Sequence, residues 1–124
     1  MANSKIEFYK NGYNGTIKVS KNQKVIQVHR IQKGINFEAA YKALQTLTTD
    51  AYALYSYLVM HPLDYPWALS SKDITSRTGL SMRTYNNAVH ELIDKGYLVE
   101  GEINMGNYHF SENAYHLFES PEKN

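Results

Sequence analysis

A chain of 124 residues, 43% hydrophobic and without cysteine, is long enough to bury one core unaided and excludes a disulfide scaffold or a thiolate metal site. The formal net charge of +1 argues neither for nor against nucleic acid, but residues 1–34 carry +6, residues 35–99 carry −1 and residues 100–124 carry −4. Nowhere do eighteen apolar residues follow one another, and the first ten lack an apolar run that could serve as a signal peptide, so a soluble cytoplasmic protein of one domain is expected.

From Lys5 to Arg30 apolar and polar residues alternate: Ile6 and Phe8, Ile17 and Val19, then Val25, Ile26 and Val28. Period two predicts short strands. The turn-forming stretches 11–15 and 21–23 divide them into an antiparallel β-hairpin or meander ahead of the helical part. Lys18, Lys21 and Lys24 fall at outward positions of this extension. They either solvate a sheet face and blunt its edge or form a basic patch for phosphates.

Gly34-Ile35-Asn36 marks a boundary, with Asn36 capping a helix from Phe37 to about Leu47 whose inward stripe would be Phe37, Ala40, Tyr41 and Leu44. Thr48 or Thr49 caps a second helix, with Asp50 complementing its dipole and Ala51, Leu54, Tyr55, Leu58 and Val59 as its buried stripe. His61-Pro62 ends it. Residues 63–69 read as a loop closing on a short extended piece.

Next come two short helices on a tight turn. Ser71 caps the first, which runs to Thr78 and is stopped by Gly79 in a left-handed conformation. Leu80 turns inward and Ser81 caps the second, in which Tyr85, Ala88, Val89, Leu92 and Ile93 form the buried stripe. Met82, Arg83, Asn86, Asn87, His90 and Glu91 fall on its wet face. Gly96 ends it. A strand Tyr97–Ile103, a turn at 104–107 and a return strand Tyr108–Phe110 follow, and Ser111-Glu112-Asn113 would cap a last short helix carrying Ala114, Tyr115, Leu117 and Phe118. That helix packs on the first helices or makes a dimer contact, and residues 120–124 fray.

The pattern Ile74-Thr75, Gly79, Leu80, Ser81, Thr84-Tyr85 and Ala88, closed by Glu91-Leu-Ile-Asp-Lys-Gly-Tyr-Leu-Val99, resembles the winged helix-turn-helix superfamily. Over residues 47 to about 110 the chain looks like the N-terminal domains of replisome-organiser and replication-initiation proteins of phages and plasmids of Gram-positive bacteria. The resemblance implies an α+β fold: a winged helix-turn-helix core over 35–119, preceded by the basic β-strand extension of residues 1–34, with the short extended piece that ends the 63–69 loop as the first strand of the wing sheet.

It further implies a sequence-specific binder of double-stranded DNA, regulating transcription or replication of a mobile element, with the helix from Ser81 to Lys95 in the major groove. Arg83 would fork onto a guanine edge and Asn86 or Asn87 onto an adenine. Met82 and His90 would lie beside them, and Ser81, Thr84, Lys72 and Arg77 would hold phosphates. A homodimer and a host or replication protein are further possible partners.

The charges keep a second reading open, because residues 81–95 are net neutral and the wing strands carry Glu100 and Glu102 without a cation. A winged helix that binds protein, or a small inhibitor of a host protein using the acidic 100–122 region as a mimic of DNA charge, fits them too. The five histidines show no metal-ligand spacing, no phosphate-cradling glycine loop or nucleophile elbow occurs, and most tyrosines fall on apolar stripes. Neither an enzyme, a metal nor a cofactor is expected.

Overall fold

Val25, Ile26 and Val28 are all buried in strand β1 (Gln23–His29), so apolar side chains leave both faces of this strand and both need cover. The computed structural model, which describes residues 23–64 and 66–121, shows how each face is covered. Among these residues the fold is α+β, with helices α1 (Phe37–Thr46), α2 (Thr49–Val59), α3 (Ser71–Thr78) and α4 (Met82–Asp94). Strands β2 (Trp67–Ser70), β3 (Leu98–Glu100), β4 (Ile103–Met105), β5 (Tyr108–Phe110) and β6 (Ala114–Phe118) complete it.

The main sheet has the order β2-β1-β6-β3. β1 runs antiparallel to β2, with Val25 opposite Ala68. It runs parallel to β6, with Val25 opposite Ala114 and Val28 opposite Leu117. On one face Ile26, Val28, Leu69, Leu98 and Leu117 join the inward stripes of α2 and α4 and Ile74 of α3 in the larger core. On the other, Val25 and Ala114 meet Ile103 and Phe110 of the two-stranded β4-β5 ribbon, which forms a smaller core. Each large apolar side chain so buried stabilises the fold by roughly 1.5–3 kcal/mol against its exposed state.

Four side-chain caps set the helix starts. Asn36 Oδ1 accepts from the N–H groups of Glu38 and Ala39, Thr48 Oγ1 from Ala51, and Ser81 Oγ from Thr84. The fourth cap is Ser70, not the expected Ser71: its backbone is already extended as the last residue of β2, the conformation an N-cap needs, so its Oγ accepts from Asp73 N at 3.0 Å. Gly79 closes α3 at φ 79° and Gly96 releases α4 into β3 at φ 85°.

Several expectations are corrected. β1 is an interior strand of the main sheet rather than part of a separate extension; the rest of the expected meander, with Lys18 and Lys21, lies outside the described residues. Residues 114–118 form a strand, not a helix: five residues with Ala114 and Leu117 buried fit either period, and hydrogen bonding to β1 and β3 decides for the strand. The strand expected over 97–103 breaks at Gly101-Glu102 into β3 and β4, which belong to different sheets. α1 turns its small residues inward, with Ala39 and Ala43 buried, whereas Phe37, Tyr41 and Leu44 are more than half exposed.

Candidate nucleic-acid interface

α3 and α4 are joined by the three residues Gly79-Leu80-Ser81. Thr78 braces the turn, its hydroxyl donating to Ile74 O at 2.7 Å and accepting from Leu80 N at 3.3 Å. Leu80 packs against the larger core. Tyr85, Ala88 and Leu92 fix which face of α4 is inward; Val89 is half-buried, and Ile93, expected inside, is exposed.

Opposite the buried face, Arg83, Asn87, His90 and Asp94 follow one another at spacings of four and three, with Asn86 beside them, and all five are exposed. Met82 is also exposed. The side chains of Arg83, Asn86, Asn87 and His90 make no hydrogen bond to any described residue. At the helix start Ser81 Oγ accepts from Thr84 N at 3.1 Å and donates to Thr84 Oγ1 at 2.9 Å. Thr84 therefore keeps its own hydroxyl hydrogen to donate outward, and the N–H groups of Met82 and Arg83, which lie before the first intrahelical bonds, face the same end.

Glu91, expected on the wet face, is not available to a ligand. Its carboxylate accepts from both Thr48 N and Thr48 Oγ1, at 2.9 and 2.7 Å, and pairs with Lys95 Nζ at 3.0 Å. Lys95 in turn donates to Thr46 O. The second half of α4 is thereby fastened to the corner between α1 and α2. Partial desolvation acts to raise the Glu91 pKa, but the two Thr48 donors and the Lys95 ammonium outweigh it and hold the carboxyl below its ordinary value. Nothing in the local sequence signals this contact, which spans 43 residues.

Among the described residues, the remaining predicted cations do not converge on the outward face of α4. Lys72 and Arg77 are both exposed on α3 but stand about 140° apart around its axis. The charge of Arg77 is felt by Tyr57 of α2 and by His61 just beyond its end. Lys24 is not directed into solvent: its ammonium lies 5.6 Å from the Tyr85 ring centroid and 5.8 Å from that of Tyr115. Burial lowers its pKa, and a cation held against two aromatic faces is engaged with them.

Residues 96–121 hold no Lys or Arg, and Glu100, Glu102 and Glu112 are exposed there. Glu102 Oε2 lies 2.6 Å from His109 Nε2, across the base of the ribbon. Its backbone carbonyl accepts from His116 Nε2, and His116 Nδ1 meets His29 Nε2 at 2.8 Å, so the ribbon is tied to β6 and β1 through two imidazoles. Among the described residues no three potential metal ligands gather, and no helix is long and apolar enough to cross a membrane.

Sequence reasoning also missed Arg30, one of the seven cations assigned to the basic extension. Its guanidinium donates to the carbonyls of Val59 and His61 at 2.6 and 2.8 Å, closing the C-terminal end of α2, and to those of Lys33 and Gln32 at 2.5 and 3.4 Å in its own loop. No protein-family model matches the chain, and no curated protein or solved structure is significantly similar to it.

Proposed function

We propose that the protein is a winged helix-turn-helix that binds double-stranded DNA in the cytoplasm with α4 in the major groove, regulating transcription or replication of a mobile element. The observation that carries this reading is the outward stripe of α4. Arg83, Asn86, Asn87 and His90 present unengaged donors and acceptors on a helix whose other face is locked into the core and whose far end is held by Glu91 and Lys95. Those groups suit base edges, guanine for Arg83 and adenine for the asparagines. The free N–H groups of Met82 and Arg83, with the Thr84 hydroxyl, suit a phosphate beside the groove. Two asparagines in succession weaken a helix, which favours a use for them beyond stability.

A second reading has its own support in the ribbon side of the molecule. With no cation over residues 96–121, that side repels a phosphate backbone, and it would serve a basic protein partner instead.

The experiment is selection of a site from a random duplex pool, followed by titration across a salt series. Groove reading requires affinity to fall steeply with salt, and Arg83→Ala and Asn86→Ala each to lose ~1–3 kcal/mol of preference for the selected site. Weak binding that ignores both substitutions refutes the DNA reading and leaves the ribbon-side partner.

A further inference from the structure

β1 and β6 run parallel, so the chain leaves the sheet at the same end from both strands, and a cavity of about 440 Å³ lies between the two exits. Residues 28–31, Leu63 and residues 118–121 line it. That volume lies in the range of small-molecule sites.

Glu119 stands out on this wall. The residue is 5% exposed, and its carboxylate is fixed by one hydrogen bond, from Ile31 N to Oε2 at 2.9 Å. Its backbone is held as well, the N–H donating to His29 O and the carbonyl accepting from the Tyr55 hydroxyl. Oε1 alone has no partner, and Glu119 forms no ion pair with any described residue. Among the described residues no fully enclosed side-chain oxygen lacks a partner, so Oε1 reaches a cavity surface. Glu119 also touches a smaller cavity of about 110 Å³ between α1 and α2, but Ile31, which holds the carboxylate, lines only the larger one. The Arg30 guanidinium shares the wall yet makes no ion pair with Glu119, its donors being directed to the carbonyls of Gln32, Lys33, Val59 and His61.

We propose that this cavity binds a small organic cation, a primary ammonium on an apolar body, whose N–H groups donate to Glu119 Oε1. A carboxylate withdrawn from water without a counter-charge is costly, and an ammonium supplies both the charge and the missing donor. Val28, Leu63 and Pro121 suit the apolar body. The Phe118 ring, stacked on His29 at 4.6 Å, adds a π-system that attracts a cation. An anion is repelled by the carboxylate and finds the Arg30 guanidinium already engaged with four carbonyls. The site is separate from α4, and the inference does not rest on DNA binding.

The test is a titration of the full chain with 2-phenylethylammonium chloride, followed by amide resonances, beside two compounds with the same aromatic body, 2-phenylethanol and phenylacetate. For so small a ligand a dissociation constant of roughly 0.1–1 mM is expected, with the Ile31 and Glu119 amides shifting. The alcohol should bind about tenfold more weakly and phenylacetate not at all. Glu119→Gln keeps an acceptor for Ile31 N and presents an amide NH2 in place of Oε1, so it should weaken the ammonium about tenfold. Ile31, 85% exposed at the rim, provides variants that leave the fold intact: Ile31→Lys should weaken the ammonium and Ile31→Glu strengthen it. No saturable shift by ~10 mM overturns the inference, being well above the weakest expected constant. So does equal affinity for the ammonium and the alcohol, a folded Glu119→Gln variant that binds as the parent does, indifference to both Ile31 variants, or shifts confined to the acidic ribbon around Glu100, Glu102 and Glu112.

Discussion

Glu91, in the third turn of α4, caps the first turn of α2 by accepting hydrogen bonds from both the N–H and the hydroxyl of Thr48. Thr48 meanwhile caps its own helix through Ala51 N, so one threonine links two helices that are distant in sequence. Glu91→Gln keeps the shape and removes the charge, and should cost roughly 1 kcal/mol at pH 7. The Glu91 pKa is lowered in the folded state from 4.5, so its contribution is present above that value and is lost as pH falls below 4.5 through the folded pKa. Denaturant midpoints of the two proteins should therefore differ at pH 7 and converge in acid.

Gly79→Ala isolates a backbone effect. A Cβ at Gly79 would meet nothing within 4 Å, so steric crowding is absent and only the positive φ of 79° opposes the methyl group. The expected cost is roughly 1 kcal/mol, with Gly79→Asn milder because asparagine tolerates this region. Gly34→Ala, at an equally open site without a positive φ, should be neutral or slightly stabilising. Thermal unfolding of the three variants checks the order.

Alkaline pH should unfold the protein through its buried phenols. Burial, with neighbouring Tyr115, pushes the Tyr85 pKa from 10.0 up to about 12. Burial and then the Glu119 charge raise that of Tyr55, whose hydroxyl donates to Glu119 O at 2.8 Å. A raised folded pKa means stability complete below pH 10 and lost as pH climbs from 10 towards 12. Lys24 works in the opposite direction, since its lowered pKa makes the folded state release a proton before the unfolded chain does, below 10.5. One lysine against two strongly shifted tyrosines leaves a net loss. Absorbance at the phenolate band should show late ionisation that coincides with unfolding, and Tyr85→Phe should reduce the loss.

Arg30→Lys should destabilise nearly as much as Arg30→Ala, by roughly 2 kcal/mol. The guanidinium reaches carbonyls of four residues at once, and a single ammonium cannot copy that fork. Differential denaturation of the two variants measures it, and a lysine variant as stable as the parent would show that charge alone suffices.

What could be read from the sequence follows the range of the interactions involved. The caps at Asn36, Thr48 and Ser81 and the stop at Gly79 are local chemistry, and they fixed α1, α2 and the α3–α4 turn to within a residue. The α4 surface followed from them by periodicity. The place of β1 in the sheet depends on β6, almost ninety residues later, and the short run 114–118 carries no period strong enough to identify it as that partner. The stripe Phe37-Tyr41-Leu44 misled for a related reason: periodicity reports that a helix has an apolar side but not what lies against it. Arg30 and Glu91 read as surface charges because their acceptors and donors come from other elements. At the candidate interface, the direction of Arg83, Asn86 and Asn87 was therefore legible, whereas the diversion of Lys24 to an aromatic cage was not.

The parallel pairing of β1 with β6 also imposes an order of events on folding. β1 is synthesised before all the other described elements, yet one long side of it stays unpaired until residues 114–118 exist. The helices and the α3–α4 corner, made of near neighbours, can form while it waits; closing the sheet then requires the two described elements most distant in sequence to meet, a non-local pairing that is intrinsically slow. A nascent chain released short of Ala114 would carry Val25, Ile26 and Val28 on an open strand edge, the form in which this protein is most exposed to self-association and proteolysis.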